Sequence, residues 1–266
     1  MPIGKNKIYQ LSPSSREPES FLNTRLSLDS YFKAYGIAIT NKDEINSTLH
    51  SYDFCRTYYH MLKDYDNFFF KYKEKVIVPL TKWLRENSNN KKSTISIINT
   101  PSVFPGVRSF LDNIKYPIQN ARLTVYEVEW LLGKWFEEYI YFLLKDKIKI
   151  EDIYIGKGVK ILGKANNEID VVFTLNNKLF VVECKTGFQD FKKDFDAASY
   201  KSKALRNDFG LQVEGVLSLM ALQSRDKKME IKKPYKERLD QTNNILFDQY
   251  VIDNELDSFI DKIQKK

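Results

Sequence analysis

Asp170, Glu183 and Lys185 stand at spacings that can bring two carboxylates and an ammonium group to one spot. The runs Val171-Val172-Phe173-Thr174 and Leu179-Phe180-Val181-Val182 are β-branched and aromatic, and Asn176-Asn177 between them suits a hairpin turn. A two-residue turn pairs Leu175 with Lys178; counting outward sets Asp170 opposite Glu183 and Glu168 opposite Lys185. Alternation then puts these four side chains on one face, with Ile169, Val171, Phe173, Phe180, Val182 and Cys184 on an apolar reverse face. Carboxylates facing one another across a strand pair repel. A divalent cation with oxygen ligands is the natural neutraliser of such a cluster. The ordinary alternative is a hairpin whose charges face water. Against it, the charged face turns apolar toward the hairpin tip, where Val172 would face Val181 and Thr174 would face Leu179. That describes the edge of a cleft, where a charged cluster is a candidate site.

The flanking segments have to hold this hairpin. Thr124-x-x-Glu127 is a capping box for a helix over about 125–145, and Val128, Leu131, Leu132, Trp135, Phe136, Tyr139, Ile140 and Leu143 trace one apolar face. Glu137 and Glu138 are its candidates for reaching the cleft, and spacing slightly favours Glu138, nearer the edge of that face. A second helix, about 193–207, carries Tyr200, Lys201, Lys203 and Arg206, whose cations suit the phosphates of a nucleic-acid strand. Lys203 and Arg206, three apart, share a face; Lys201 alone reads as solvated basic surface. Residues 213–222 read as a buried strand, 225–238 as a basic loop that can touch nucleic acid, and 254–266 as an amphipathic helix. Upstream, 1–20 is a Pro- and Ser-rich arm, and a helix over 28–35 stops at Gly36. Two longer helices follow at about 42–63 and 65–86, then a short strand at 94–98. Phe54, Tyr58, Tyr59, Phe68, Phe69, Phe70 and Tyr72 recur at helical spacing, which marks them as core rather than as base-stacking residues.

With 266 residues and a net charge of +7, the chain suits a polyanionic partner, DNA or RNA. Two cysteines, Cys55 and Cys184, cannot build a disulfide framework, and His50 and His60 are too few for a zinc set. No stretch approaches the roughly 20 apolar residues that span a bilayer, and Met1–Ser15 lacks the apolar run of a signal peptide. No membrane association and a cytoplasmic location are expected.

Asp170 followed by Glu183-Cys184-Lys185 on the next strand resembles the PD-(D/E)xK nuclease core, with Ile169 where that motif has proline. Taken with Gly133-Lys134-Trp135-Phe136-Glu137-Glu138-Tyr139-Ile140-Tyr141 and Lys203-Ala204-Leu205-Arg206-Asn207-Asp208-Phe209-Gly210, residues of about 120–222 resemble the nuclease half of CRISPR-associated CARF–nuclease effectors. The resemblance implies a restriction-endonuclease-like α/β domain, a mixed sheet flanked by helices, over 119–266. Before it lie a helical domain over 21–118 and the arm over 1–20. It implies hydrolysis of phosphodiester bonds with Mg²⁺ or Mn²⁺ held by Asp170, Glu183 and the carbonyl of Cys184. Lys185 would orient the attacking water, Glu168 would hold Lys185 or a water, and a helix glutamate, Glu137 by the family's Gly-x-x-Phe-Glu pattern, would complete the site. Such effectors usually carry an N-terminal CARF sensor of cyclic oligoadenylate. None is evident here, so activity is expected to be either constitutive or governed by a partner, or by a second copy in a homodimer, docking on the helical domain. The rival readings are a nucleic-acid-binding module with an inactive site and a transposase-type or junction-cleaving nuclease of the same fold.

Overall fold

The structure, a computed structural model, describes residues 9–10, 19–20, 27–34, 36–39, 50–63, 72–97, 106–118, 121–148, 150, 152–161, 167–176, 178–186, 191–209 and 213–265. In chain order, the paired strands β1 (Tyr9–Gln10) and β2 (Glu19–Ser20) precede α1 (Leu28–Ala34), β3 (Ile37–Ile39) and α2 (Tyr52–Leu62). A π-helical turn, Lys73–Ile77, runs into α3 (Val78–Asn87), followed by β4 (Thr94–Ser96), α4 (Val107–Asn113) and β5 (Arg122–Thr124). Next come α5 (Val125–Glu129), a second π-helical turn (Trp130–Lys134), α6 (Trp135–Ile148), β6 (Ile153–Ile161), β7 (Asn167–Leu175) and β8 (Lys178–Lys185). The chain closes with α7 (Phe191–Phe209), β9 (Val213–Leu219), α8 (Lys233–Thr242), β10 (Asn244–Asp248), α9 (Gln249–Asn254) and α10 (Leu256–Lys265). No described helix is long and apolar enough to cross a membrane.

Six strands form one sheet in the order β10-β9-β8-β7-β6-β3, with β8, β9 and β10 parallel to one another and the remaining neighbours antiparallel. Leu175 pairs with Lys178 across the hairpin, and Asn176 sits at φ 52°, as a type I′ turn requires. Val172 faces Val181 and Thr174 faces Leu179. This β7–β8 ladder ends at Val171–Val182. From there β7 stays with β6 as far as Asn167, while β8 stays with β9 as far as Lys185. The strands that carry the acids therefore part just before the acids.

Helices cover both faces. Val171, Phe173, Phe180, Val182 and Cys184 share a core with Trp135, Phe136 and Ile140 of α6. Phe173 and Phe180 stack at 4.8 Å, and a fully buried ring of this kind contributes about 1.5–3 kcal/mol. On the opposite face, Val172, Leu179 and Val181 pack with Leu28, Tyr31 and Phe32 of α1 and Leu205 of α7, and Phe195 and Ala198 of α7 pack on Leu217 and Leu219. Ile169 departs from the expected alternation: it is buried, but in this second cluster. Beside it, between the Ile155–Val171 and Lys157–Ile169 pairs, Gly156 takes φ +59°. The kink turns Ile169 onto the other face.

The segments 21–118 and 119–266 share one core. β3 is the edge strand of the main sheet, and Cys55, Tyr58 and Tyr59 of α2 pack in the same cluster as α6. Tyr59 stacks on Tyr139 at 4.4 Å. α2 begins at Tyr52, capped by Ser51, whose hydroxyl accepts from the Phe54 N–H. The remainder of the expected helices, 42–49 and 65–71, including Phe68, Phe69 and Phe70, lies outside the described residues, as does most of the arm. Residues 225–232 form a loop as expected, but 233–238 are helical. After an Arg225–Ile231 bridge the chain enters α8, opened by Pro234, whose missing N–H costs nothing in a first turn.

Candidate active site

Where β7 and β8 part, the Asp170 side chain does the work of the missing ladder bond: its Oδ2 accepts from the Cys184 N–H at 2.8 Å. This fixes Asp170 beside Glu183. Both are buried, Asp170 at 7% and Glu183 at 0% exposure. Two ammonium groups face the pair. Lys185 Nζ lies 3.7 Å from Asp170 Oδ2 and 3.8 Å from Glu183 Oε2. Lys201 Nζ, from α7, lies 2.6 Å from Glu183 Oε1 and 3.9 Å from Asp170 Oδ1.

Burial first, then the Asp170 charge, push the Glu183 carboxyl up to about 8, against the pull of Lys201 and Lys185. Neither Glu183 oxygen receives a well-aligned hydrogen bond, so the close Lys201 contact is an ion pair without that alignment. Glu137 joins the group electrostatically from α6. Burial and then Asp170 raise its carboxyl well above the ordinary range, with Lys134 and Lys185 opposing. Burial draws the Lys185 and Lys201 ammonium groups down, but Asp170 and Glu183 outweigh it and hold both up. Burial and then Asp170 drive the Cys184 thiol well up, so that side chain is an inert core residue. Among the described residues no three His, Cys, Asp or Glu side chains converge as a ready metal cage. The available donor set is Asp170 and Glu183, with Glu137 the next carboxylate.

Glu138 is not brought to this cluster. It is buried against α2, where its Oε2 accepts from Trp130 Nε1 at 3.0 Å, the His50 N–H at 3.3 Å and Cys55 Sγ at 3.6 Å. The single apolar face expected of this helix is in fact two, because α6 lies between the sheet and α2, and its edge is not where the spacing set it. Glu168 does not meet Lys185 either. With the ladder ended at Val171–Val182, Glu168 pairs with Gly158 instead, stays exposed, and acts through its charge on Glu137 and Lys134.

Of the helix cations, Lys201 enters the acid cluster, which its reading as solvated surface overlooked. The signal was available: Lys201 is three residues from Ala198 and four from Leu205, both buried on the sheet-facing stripe of α7. Lys203 is exposed and donates to the Gln241 carbonyl. Tyr200 is exposed, with the Arg238 guanidinium 4.7 Å over its ring and bonded to its hydroxyl. Arg206 lies on α7, but its side chain is outside the described residues.

A mixed sheet with helices on both faces, carrying two buried acids and a lysine on adjacent strands, is a restriction-endonuclease-like α/β architecture. Residues 124–240 match the family described as the Card1-like endonuclease domain, a stretch that opens at the Thr124 cap and holds every residue of the cluster. The fold is similar to that of VC1899 from Vibrio cholerae (TM-score 0.58, 18% identity, 96% of this chain and 65% of that one). It is also similar to that of Can2 from Sulfobacillus thermosulfidooxidans, solved in complex with cyclic tetra-adenylate (TM-score 0.58, 16% identity, 96% of this chain and 67% of that one). The chain thus spans about two thirds of the length of both. No curated protein matches it.

Proposed function

We propose that this chain is a metal-dependent nuclease of the PD-(D/E)xK type that hydrolyses phosphodiester bonds in DNA or RNA within CRISPR-linked defence. The observation that carries the reading is Asp170 and Glu183 side by side, both facing Lys185, inside the stretch matched by an endonuclease family. The CRISPR link rests on the motif resemblance to CARF–nuclease effectors and on the fold shared with Can2.

The donors fit a hard cation. Glu183 offers two buried oxygens that receive no aligned hydrogen bond, and Asp170 stands next to it. These two, with the Cys184 carbonyl, would hold Mg²⁺ or Mn²⁺, and Glu137 would add a carboxylate from α6. Such an ion, when bound, supplies a water of lowered pKa and charge for the attacked phosphate. Lys185 keeps an ammonium group beside both acids, where it stabilises negative charge developing on phosphate oxygens. Elsewhere on α7, Lys192, Lys193, Asp196, Ala197 and Tyr200 line a hollow of about 440 Å³. Cations next to an exposed aromatic ring suit a sugar–phosphate strand and its bases.

The test is cleavage of single- and double-stranded DNA and RNA with Mg²⁺, Mn²⁺ or EDTA. Cutting should require metal, and Glu183→Gln or Asp170→Asn should abolish it in a folded protein. Persistent cutting in EDTA, or full activity of Glu183→Gln, removes this site from the reaction.

A further inference from the structure

Two ammonium groups already contact both Asp170 and Glu183 in this cluster. Lys201 Nζ lies 2.6 Å from Glu183 Oε1, the closer of the two lysine contacts to that residue, whereas Lys185 keeps 3.7 Å from Asp170 and 3.8 Å from Glu183. The Lys201 ammonium also lies 3.9 Å from Asp170 Oδ1, so an ion bridging that oxygen and Glu183 Oε1 would need the position that Lys201 holds. A divalent charge added beside two retained ammonium groups would also set four positive charges against the three carboxylates Asp170, Glu183 and Glu137. One lysine has to leave, and the contact distances select Lys201. Its side chain is about one third exposed (34%), which gives the ammonium a way out to solvent; Lys185 is exposed nearly as much (33%), so the distances alone choose between them. Four methylenes on a flexible stem let Lys201 go without moving α7.

From this geometry, and resting on the metal reading above, we infer that Lys201 is a displaceable counter-ion: it neutralises the Asp170–Glu183 pair until a divalent cation exchanges with it, and so sets the affinity for metal. Lys201 is here a positioning residue, acting through the two acids. Its charge opposes metal entry, so removing it strengthens metal binding even though it removes an ion pair.

Calorimetric titration of Mn²⁺ into the full chain tests this, with wild type, Lys201→Met, Lys201→Arg and Lys203→Met compared. Lys201→Met should bind Mn²⁺ about tenfold tighter than wild type, as loss of one competing charge at contact range requires. Lys201→Arg, which keeps the charge, and Lys203→Met, which lies outside the cluster, should bind as wild type does. In EDTA, Lys201→Met should melt below wild type, and Mn²⁺ should raise its Tm by more than it raises that of wild type. Should Lys201→Met fail to fold by circular dichroism, Lys201→Gln takes its place in the same titration with the same expectation. Wild type binding Mn²⁺ with the uncharged variant equal or weaker overturns the counter-ion role alone. No Mn²⁺ binding by any of these chains overturns the metal reading and this inference with it.

Discussion

Glu137 and Glu138 are adjacent in sequence, yet they face different parts of the molecule, so exchanging each for glutamine separates chemistry from architecture. Glu138 accepts from Trp130 Nε1 at 3.0 Å, the His50 N–H at 3.3 Å and Cys55 Sγ at 3.6 Å. Glu138→Ala strips that acceptor from the buried Trp130 N–H and the half-buried His50 N–H. At about 1–3 kcal/mol for each donor left unsatisfied, the loss is roughly 2–6 kcal/mol, a large part of a domain's stability. Glu138→Gln keeps one carbonyl oxygen and should cost only about 1–2 kcal/mol. Glu137 acts on Asp170 and Lys185 and already resists ionisation, so Glu137→Gln should leave stability unchanged or raised. Its cleavage should nevertheless fall about 10- to 100-fold, the usual effect of losing a group that supports a metal site. Urea unfolding followed by tryptophan fluorescence gives the stabilities, and cleavage per folded molecule with Mn²⁺ gives the activities. An active Glu137→Gln beside an inactive but equally stable Glu138→Gln would refute the assignment of the two faces.

Burial lowers the pKa of His50 below its ordinary 6.5, the opposing pull of Glu127 being smaller. As pH falls, the unfolded chain therefore takes up that proton first, and stability present above about 6.5 is lost below it. His50→Phe, which keeps a ring against Trp130 and Phe54, should flatten this decline between pH 7.5 and 5 in chemical unfolding; parallel curves for the two proteins would exclude His50 as its source. The described residues before 121 form helices and short strands, with no parallel sheet of the kind a Rossmann-like sensor is built on. Cyclic tetra-adenylate titrated into this chain by calorimetry should give no binding heat and no stimulation of cleavage, and tight binding would overturn that view of the N-terminal half.

The hairpin was legible because its two signals are local and agree: β-branched alternation fixes the faces, and Asn176 fixes the turn. What counting could not show is where a ladder stops. The parting of β7 and β8 after Val171–Val182 took Glu168 away from Lys185, and the kink at Gly156 turned Ile169 over. Periodicity on α6 was ambiguous because a helix buried on two sides has no single polar edge, and the π-helical turn before it shifts the phase of a 3.6-residue count. β6 carries Gly156 and Gly158 where a regular strand has side chains, which hid it from pattern reading. Lys201 was misjudged on residue type alone, since its positions relative to Ala198 and Leu205 already set it on the buried stripe.

The bond from the Cys184 N–H to Asp170 Oδ2 has a consequence for how inactivating variants of this chain are read. At position 170, alanine deletes a carboxylate and also unfastens one rung between two strands, with a buried N–H left unanswered. Asparagine keeps a carbonyl oxygen for that rung. An Asp170→Ala protein that fails to cut thus reports a loosened sheet together with a missing charge, and its melting temperature will say so. Glu183 carries no such duty toward the main chain, which makes Glu183→Gln the cleaner measure of chemistry alone.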